Sequence, residues 1–95
     1  MREAVAFTLV YHADIQGDIK RLDVRLKTRI KTAIETRLAT APQRYGKPLK
    51  RTLKGYWKLR VGDYRVVYKI ENRAVLILGI IHRKEVYETI EERMN

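Results

Sequence analysis

The stretch Tyr56–Ile70 reads YWKLRVGDYRVVYKI and carries Lys58, Arg60, Arg65 and Lys69. Arginine offers a planar fork that matches phosphate oxygens, and lysine offers a point charge. Tyr56 adds an aromatic surface on which a base can stack. If these side chains share one face of a hairpin, they can grip a phosphodiester chain. The surroundings are basic too. Arg44, Lys47, Lys50, Arg51 and Lys54 precede the hairpin, and Asp63 is the only acid between Arg44 and Ile70. The alternative is that the arginines splay into solvent or pair with glutamates near the C-terminus.

A Gly62-Asp63 turn suits the positive φ values of a two-residue hairpin. It sets Val61 against Tyr64, Arg60 against Arg65, Leu59 against Val66, Lys58 against Val67, Trp57 against Tyr68 and Tyr56 against Lys69. Side chains alternate between faces. Trp57, Leu59, Val61, Tyr64, Val66, Tyr68 and Ile70 then form a core face. Tyr56, Lys58, Arg60, Arg65, Val67 and Lys69 form the other. Two arginines face to face destabilise a sheet by a fraction of about 1 kcal/mol. That arrangement makes sense if an anion normally lies between them.

The elements that position this hairpin follow from periodicity. Ala4–Tyr11 suits a first strand. Ile15, Ile19, Leu22, Leu26, Ile30, Ile34 and Leu38 recur at helical spacing. With Asp23 as a cap, they predict a short helix near 12–21 and a longer one near 24–40. The cations of the longer helix, Arg29 and Arg37 among them, read as a solvated face. Asp14 and Asp18 read as helical surface positions rather than metal ligands. Pro42 ends the helices, and APQRYGKPLKRTLKG follows as a loop. A third strand ends near Ile81, and a last helix starts at about Arg83, with Val86 and Ile90 toward the core. The order β-α-α-β-β-β-α implies an α+β fold: a small, mainly antiparallel sheet with two N-terminal helices on one face and a short C-terminal helix.

With Asn72-Arg73 as the next turn, Ile80 pairs with Arg65. Leu76, Leu78 and Ile80 then share the basic face and need cover from a helix or a partner chain. His82 and Arg83 fall at the same end of the sheet as Arg60 and Arg65, and Tyr87 overhangs that end.

The 95 residues predict one domain, 1–95. A net charge of +10 favours polyanions. There is neither cysteine nor serine, which removes disulfides, Cys-based zinc sites and the usual triad nucleophiles. No signal segment is evident, the longest apolar run (Ala74–Ile81) is too short to span a bilayer, and a cytoplasmic protein is expected.

WKLRVGDYRVVYKI, an apolar strand, and HRKEVY at the start of the last helix together resemble the RelE/ParE toxin superfamily, most closely its RelE branch. The resemblance spans nearly the whole chain. It implies a toxin of a type II toxin–antitoxin system: a ribosome-dependent endoribonuclease that cuts mRNA in the decoding site. Lys58, Arg65 and Tyr87 match family positions, and Arg60 matches a basic hairpin position. Some members carry a second lysine where this chain has Tyr56, with Lys54 the nearest substitute. Some carry an arginine where this chain has Ile81, with Arg83 the nearest candidate. The implied reaction is attack by a ribose 2′-hydroxyl on the adjacent phosphate, with no metal or cofactor required. Arg65 and Arg83 suit the phosphate oxygens, and Lys58 or Tyr87 the protons. His82 is an alternative base, because histidine titrates near neutrality. Lys54, Tyr56, Arg60, Lys69 and His82 are RNA-binding candidates. The expected partners are the ribosome, mRNA and an acidic, partly helical antitoxin forming a hetero-oligomer. That antitoxin would cover Leu76, Leu78 and Ile80. No membrane partner is expected. Two further readings are a ParE-like inhibitor of DNA gyrase and a non-catalytic RNA- or ribosome-binding module.

Overall fold

The hairpin lies within a five-stranded sheet of order β1-β5-β4-β3-β2. The structure, a computed structural model, describes residues 6–94. The strands are β1 (Thr8–Tyr11), β2 (Lys47–Pro48), β3 (Trp57–Val61), β4 (Tyr64–Glu71) and β5 (Ala74–His82). β1 runs parallel to β5, and the other pairings are antiparallel. The predicted strand at Ala4 and Val5 lies outside the described residues.

Between β1 and β2 come α1 (Ile15–Lys20) and α2 (Val24–Ala33), which runs on into a π-helical turn, Ile34–Leu38. Asp23 caps α2 as its position predicts: its carboxylate accepts from Leu26 N–H at 2.7 Å, worth about 1 kcal/mol. Near the π turn the Thr36 and Thr40 hydroxyls donate to the carbonyls of Thr32 and Thr36, at 2.7 and 2.8 Å. Such back-bonding competes with the helix ladder where the turn widens. These helices bury Ile15, Leu22, Ile30, Ile34 and Leu38 against Leu59, Val66, Tyr68, Val75 and Ile77.

Pro42 does not simply end the helices. It is the first residue of a short α3 (Pro42–Tyr45), where its missing N–H costs nothing. The supposed loop also holds β2 and a 3₁₀ turn, Arg51–Leu53. Long-range contacts order it. The fully buried Tyr68 donates its hydroxyl to Pro42 O at 2.8 Å. Gly46 lies so close to that hydroxyl that a Cβ there would collide with it.

The β3–β4 register over Trp57–Val61 matches expectation. The β4–β5 register matches from the Asn72-Arg73 turn as far as Tyr68 and Ile77, and then shifts. Tyr68 pairs with Ile77 but Val67 pairs with Gly79, so Leu78 is an extra residue in a bulge. Beyond it Ile81, not Ile80, faces Arg65. Ile80 joins the core beneath α1 and α2.

The last helix, α4 (Val86–Met94), packs on the opposite face of the sheet from α1 and α2. Val86 and Ile90 meet Leu49, Leu53, Val67 and Ile81, with Tyr56 and Leu78 at the margin. Of the three residues expected to need cover from a helix or a partner, Leu78 lies at the margin of the α4 cluster, Ile80 is buried on the other face, and Leu76 stays half-buried and joins neither cluster.

β1 is short, and its pairing to β5 ends where His12 N–H donates to Ile77 O at 2.9 Å. Past that point two side chains occupy the β5 edge. The Asp18 carboxylate accepts from Ile80 N–H at 2.9 Å. Arg93, from α4, donates to Leu78 O at 2.8 Å and to both Asp18 oxygens at 2.8 and 2.6 Å. Asp18 is thus buried, not a surface position. Buried ladder groups need partners, and this pair provides them.

Candidate functional site

Strand alternation delivers Lys58 and Arg60 from β3 and Arg65 from β4 to one face. They line a cleft of ≈ 250 Å³ with Lys47 and Tyr45. Lys47 lies directly across from Lys58, and Arg60 directly across from Arg65. No carboxylate lines this cleft. Among the described residues, none of Lys47, Lys58, Arg60 and Arg65 is in an ion pair, so the arginines are not spent on glutamates.

Arg65 is held from behind. One of its Nη atoms donates to Gly62 O at 3.1 Å and to Tyr64 O at 3.0 Å. Burial, then the charges of Arg60 and Arg83, hold it below the ordinary arginine value, with Asp63 opposing. Arg83 pairs with Asp63 at 3.6 Å through Nε and donates its backbone N–H to Asp63 O at 2.8 Å. It stands at the hairpin tip, at the end of the sheet expected for it.

The other candidates are distributed differently. Tyr87, exposed at the start of α4, accepts a hydrogen bond on its Oη from Lys50 N–H at 3.1 Å. It lines a different depression, of ≈ 590 Å³, with Lys50, Arg51, Thr52 and Glu91. Lys69 pairs with Glu71 at 3.3 Å and lies over the Tyr56 ring, 5.5 Å from its centroid. Tyr56 itself packs against the core beneath α4. One side of its ring is therefore taken by Lys69 rather than open to a base. Lys54 is exposed, just past the 3₁₀ turn, and does not line the cleft. His82 pairs across from Tyr64, on the face away from Arg65, and meets that ring edge-on at 5.6 Å. Its Nδ1 accepts from Lys84 N–H at 3.2 Å. It does not line the cleft.

Tyr45 is a cleft residue that the sequence did not single out, and Lys47 stood there only as part of the basic surroundings. The available signal was Pro48, since proline within a sheet sits on an edge strand. The arrangement as a whole can bind an extended polyanion and concentrate positive charge on one phosphate. Among the described residues, no helix is long and apolar enough to cross a membrane.

Residues 9–87 match the family described as ParE toxin of type II toxin-antitoxin system, parDE. The chain is 32% identical over 83 residues to toxin RelG of Mycobacterium tuberculosis, spanning 85% of this chain and 95% of that relative. It superposes on a chain of the toxin–antitoxin complex RelBE2 from the same organism with a TM-score of 0.77. That match has 32% identity and covers 83% of this chain and 100% of the other. A chain from the chromosomal ParDE system of P. aeruginosa gives a TM-score of 0.67 at 13% identity, covering 81% and 96% of the two chains. At that identity the likeness is one of fold.

Proposed function

This chain belongs to the ParE toxin family, within the RelE/ParE superfamily of type II toxin–antitoxin toxins, and from that premise we propose that it is a ribosome-dependent endoribonuclease restrained by a cognate antitoxin. The observation that carries this reading is the cleft in which Lys58, Arg60, Arg65 and Lys47 converge without a carboxylate.

In the proposed step the 2′-oxygen attacks phosphorus as its proton leaves. The bond from phosphorus to the 5′-oxygen breaks, and that oxygen takes up a proton. The products are a 2′,3′-cyclic phosphate and a 5′-hydroxyl. With one Nη anchored to the turn, the rest of the Arg65 guanidinium is left for the phosphate oxygens. Arg60 and Lys47 add charge without requiring reorganisation. Lys58, half-buried in the cleft, is positioned for the 2′-hydroxyl proton. Tyr87 accepts from Lys50, so its own O–H proton remains free to donate to the leaving oxygen. Because both oxygens are bonded to one phosphorus, this division of roles requires a single phosphate to sit within reach of Lys58 and of the Tyr87 hydroxyl, between the cleft and the start of α4. The RelBE2 complex makes an antitoxin partner the natural expectation for this chain too.

Primer extension on a message translated in a cell-free extract tests the proposal. The wild type should cut in frame on translated RNA. Arg65→Ala should lower cutting about a hundredfold or more, with an unchanged or raised melting temperature, because a like-charge pair is relieved. An intact message after wild-type addition would overturn the reading.

The separation of Tyr87 from the Lys58–Arg65 cleft, with the ParE family match, favours a second reading, inhibition of DNA gyrase. Filamentation with DNA damage on expression, and no RNA cutting, would select it.

A further inference from the structure

The tip of the β3–β4 hairpin draws in a cation from the other side of the sheet. Arg29 of α2 reaches the turn, and a Cβ added at Gly62 would meet its Nη1 at 3.5 Å. Arg29, Arg37 and Arg60 line a second cleft of ≈ 330 Å³, between α2 and the open edge of β3. That edge is open because β2 pairs only with Trp57 and Lys58. Arg29, Ala33 and Arg37 are spaced four apart, on one side of the helix. The small Ala33 lies between the two arginines in the cleft wall, with Thr32 and Thr36 beside it. No carboxylate lines this cleft, and among the described residues Arg29 and Arg37 are in no ion pair.

The two clefts share a wall. Arg60 lines both. The Arg37 guanidinium lies over the Tyr45 ring, 5.8 Å from its centroid, and Tyr45 lines the first cleft. Basic side chains therefore continue from Lys47 and Lys58, over the β3 edge at Arg60, to Arg29 and Arg37.

We propose that the α2–β3 cleft is a second phosphodiester-binding site, so that one RNA strand crosses the β3 edge with Arg60 as the shared clamp. The proposal rests on the nuclease reading for what occupies the first cleft. An acidic peptide fits less well. A protein interface is anchored by large side chains seated in well-packed apolar pockets, and beside its arginines the second cleft offers only threonines, Ala33 and Val61. The Thr36 hydroxyl proton is already given to Thr32 O, so anion contacts fall to the guanidinium groups, which suit phosphate oxygens.

Fluorescence anisotropy with 2′-O-methyl RNA, which cannot be cut, tests this on the full chain. A trinucleotide fills the first cleft alone, and a longer oligonucleotide reaches both. The Arg29→Gln variant should bind the trinucleotide as the wild type does; in Arg29→Gln/Arg37→Gln, which also removes the guanidinium over the Tyr45 ring, any loss on the trinucleotide should be far smaller than on the long oligonucleotide. For the long oligonucleotide the double variant should lose about tenfold or more in affinity, and its slope of log K against log salt should be shallower by about 1.4, for two lost phosphate contacts. An unchanged slope, or equal losses on both lengths, would overturn the second site. So would a variant whose only defect is weaker binding of an acidic antitoxin peptide. If Lys58→Ala/Arg65→Ala abolishes binding while the Arg29/Arg37 variant is unaffected, this inference fails alone. If the wild type binds neither oligonucleotide, the nuclease reading fails with it.

Discussion

Tyr68 shows how one buried hydroxyl ties the functional face to the rest of the chain. Its ring lies in the core, and its O–H holds Pro42 O, which fixes α3 and hence Tyr45 and Lys47 at the cleft. Burial pushes its ionisation well above the ordinary tyrosine range. A raised folded-state value favours the neutral phenol, so this contribution to stability is complete below about pH 10 and is lost as pH climbs beyond it. Tyr68→Phe should cost about 1–3 kcal/mol at neutral pH, because Pro42 O is left unsatisfied. Above about pH 10 the wild type weakens through this group and the variant does not, so the gap should narrow. Urea unfolding of both proteins across that range measures it. Arg65 is the converse case. Its neighbours Arg60 and Arg83 repel it, and the folded protein tolerates that strain at the place where substrate charge would relieve it.

At the scale of elements, the Asp18–Arg93 pair joins α1, β5 and α4 at one point. Removing one partner of a buried pair strands the other charge, so Arg93→Met should destabilise by about 3 kcal/mol or more. Adding Asp18→Asn should recover part of the loss, and a double-mutant cycle by chemical denaturation gives the coupling. None of this was legible in the sequence, where Asp18 looks like any helical carboxylate and Arg93 like any charged residue near the C-terminus. What was legible is local. The Gly62-Asp63 turn and strict alternation determine the β3–β4 register, so the opposition of Arg60 and Arg65 could be read directly. The β5 register slipped by one because Leu78 bulges. Its signal was Gly79, a lone glycine inside a strand, where a Cβ would crowd Ile81 and Arg93. The apolar stripe of Val86 and Ile90 was plain, but the face of the sheet it covers depends on how the chain passes the β5 edge, a long-range matter. β2 escaped notice because two residues carry no periodicity, and contacts distant in sequence hold its surroundings.

For the whole molecule, a net charge of +10 means continual self-repulsion in the absence of an anion. A linear polyphosphate should therefore raise the melting temperature beyond the effect of sodium chloride at equal ionic strength. At about a hundredfold excess over its dissociation constant the gain is about 2.7 kcal/mol, or roughly 10–20 °C for a domain this small. Differential scanning fluorimetry reads this directly, and Lys58→Ala/Arg65→Ala should blunt it. The Asp18–Arg93 pair has a last consequence at this scale. Unpaired strand borders invite other chains to add on and propagate into insoluble aggregates. By filling the hydrogen-bonding groups of β5 where β1 stops, a carboxylate and a guanidinium deny a newcomer that foothold, and loss of either residue should show as lower soluble yield before it shows as lost activity.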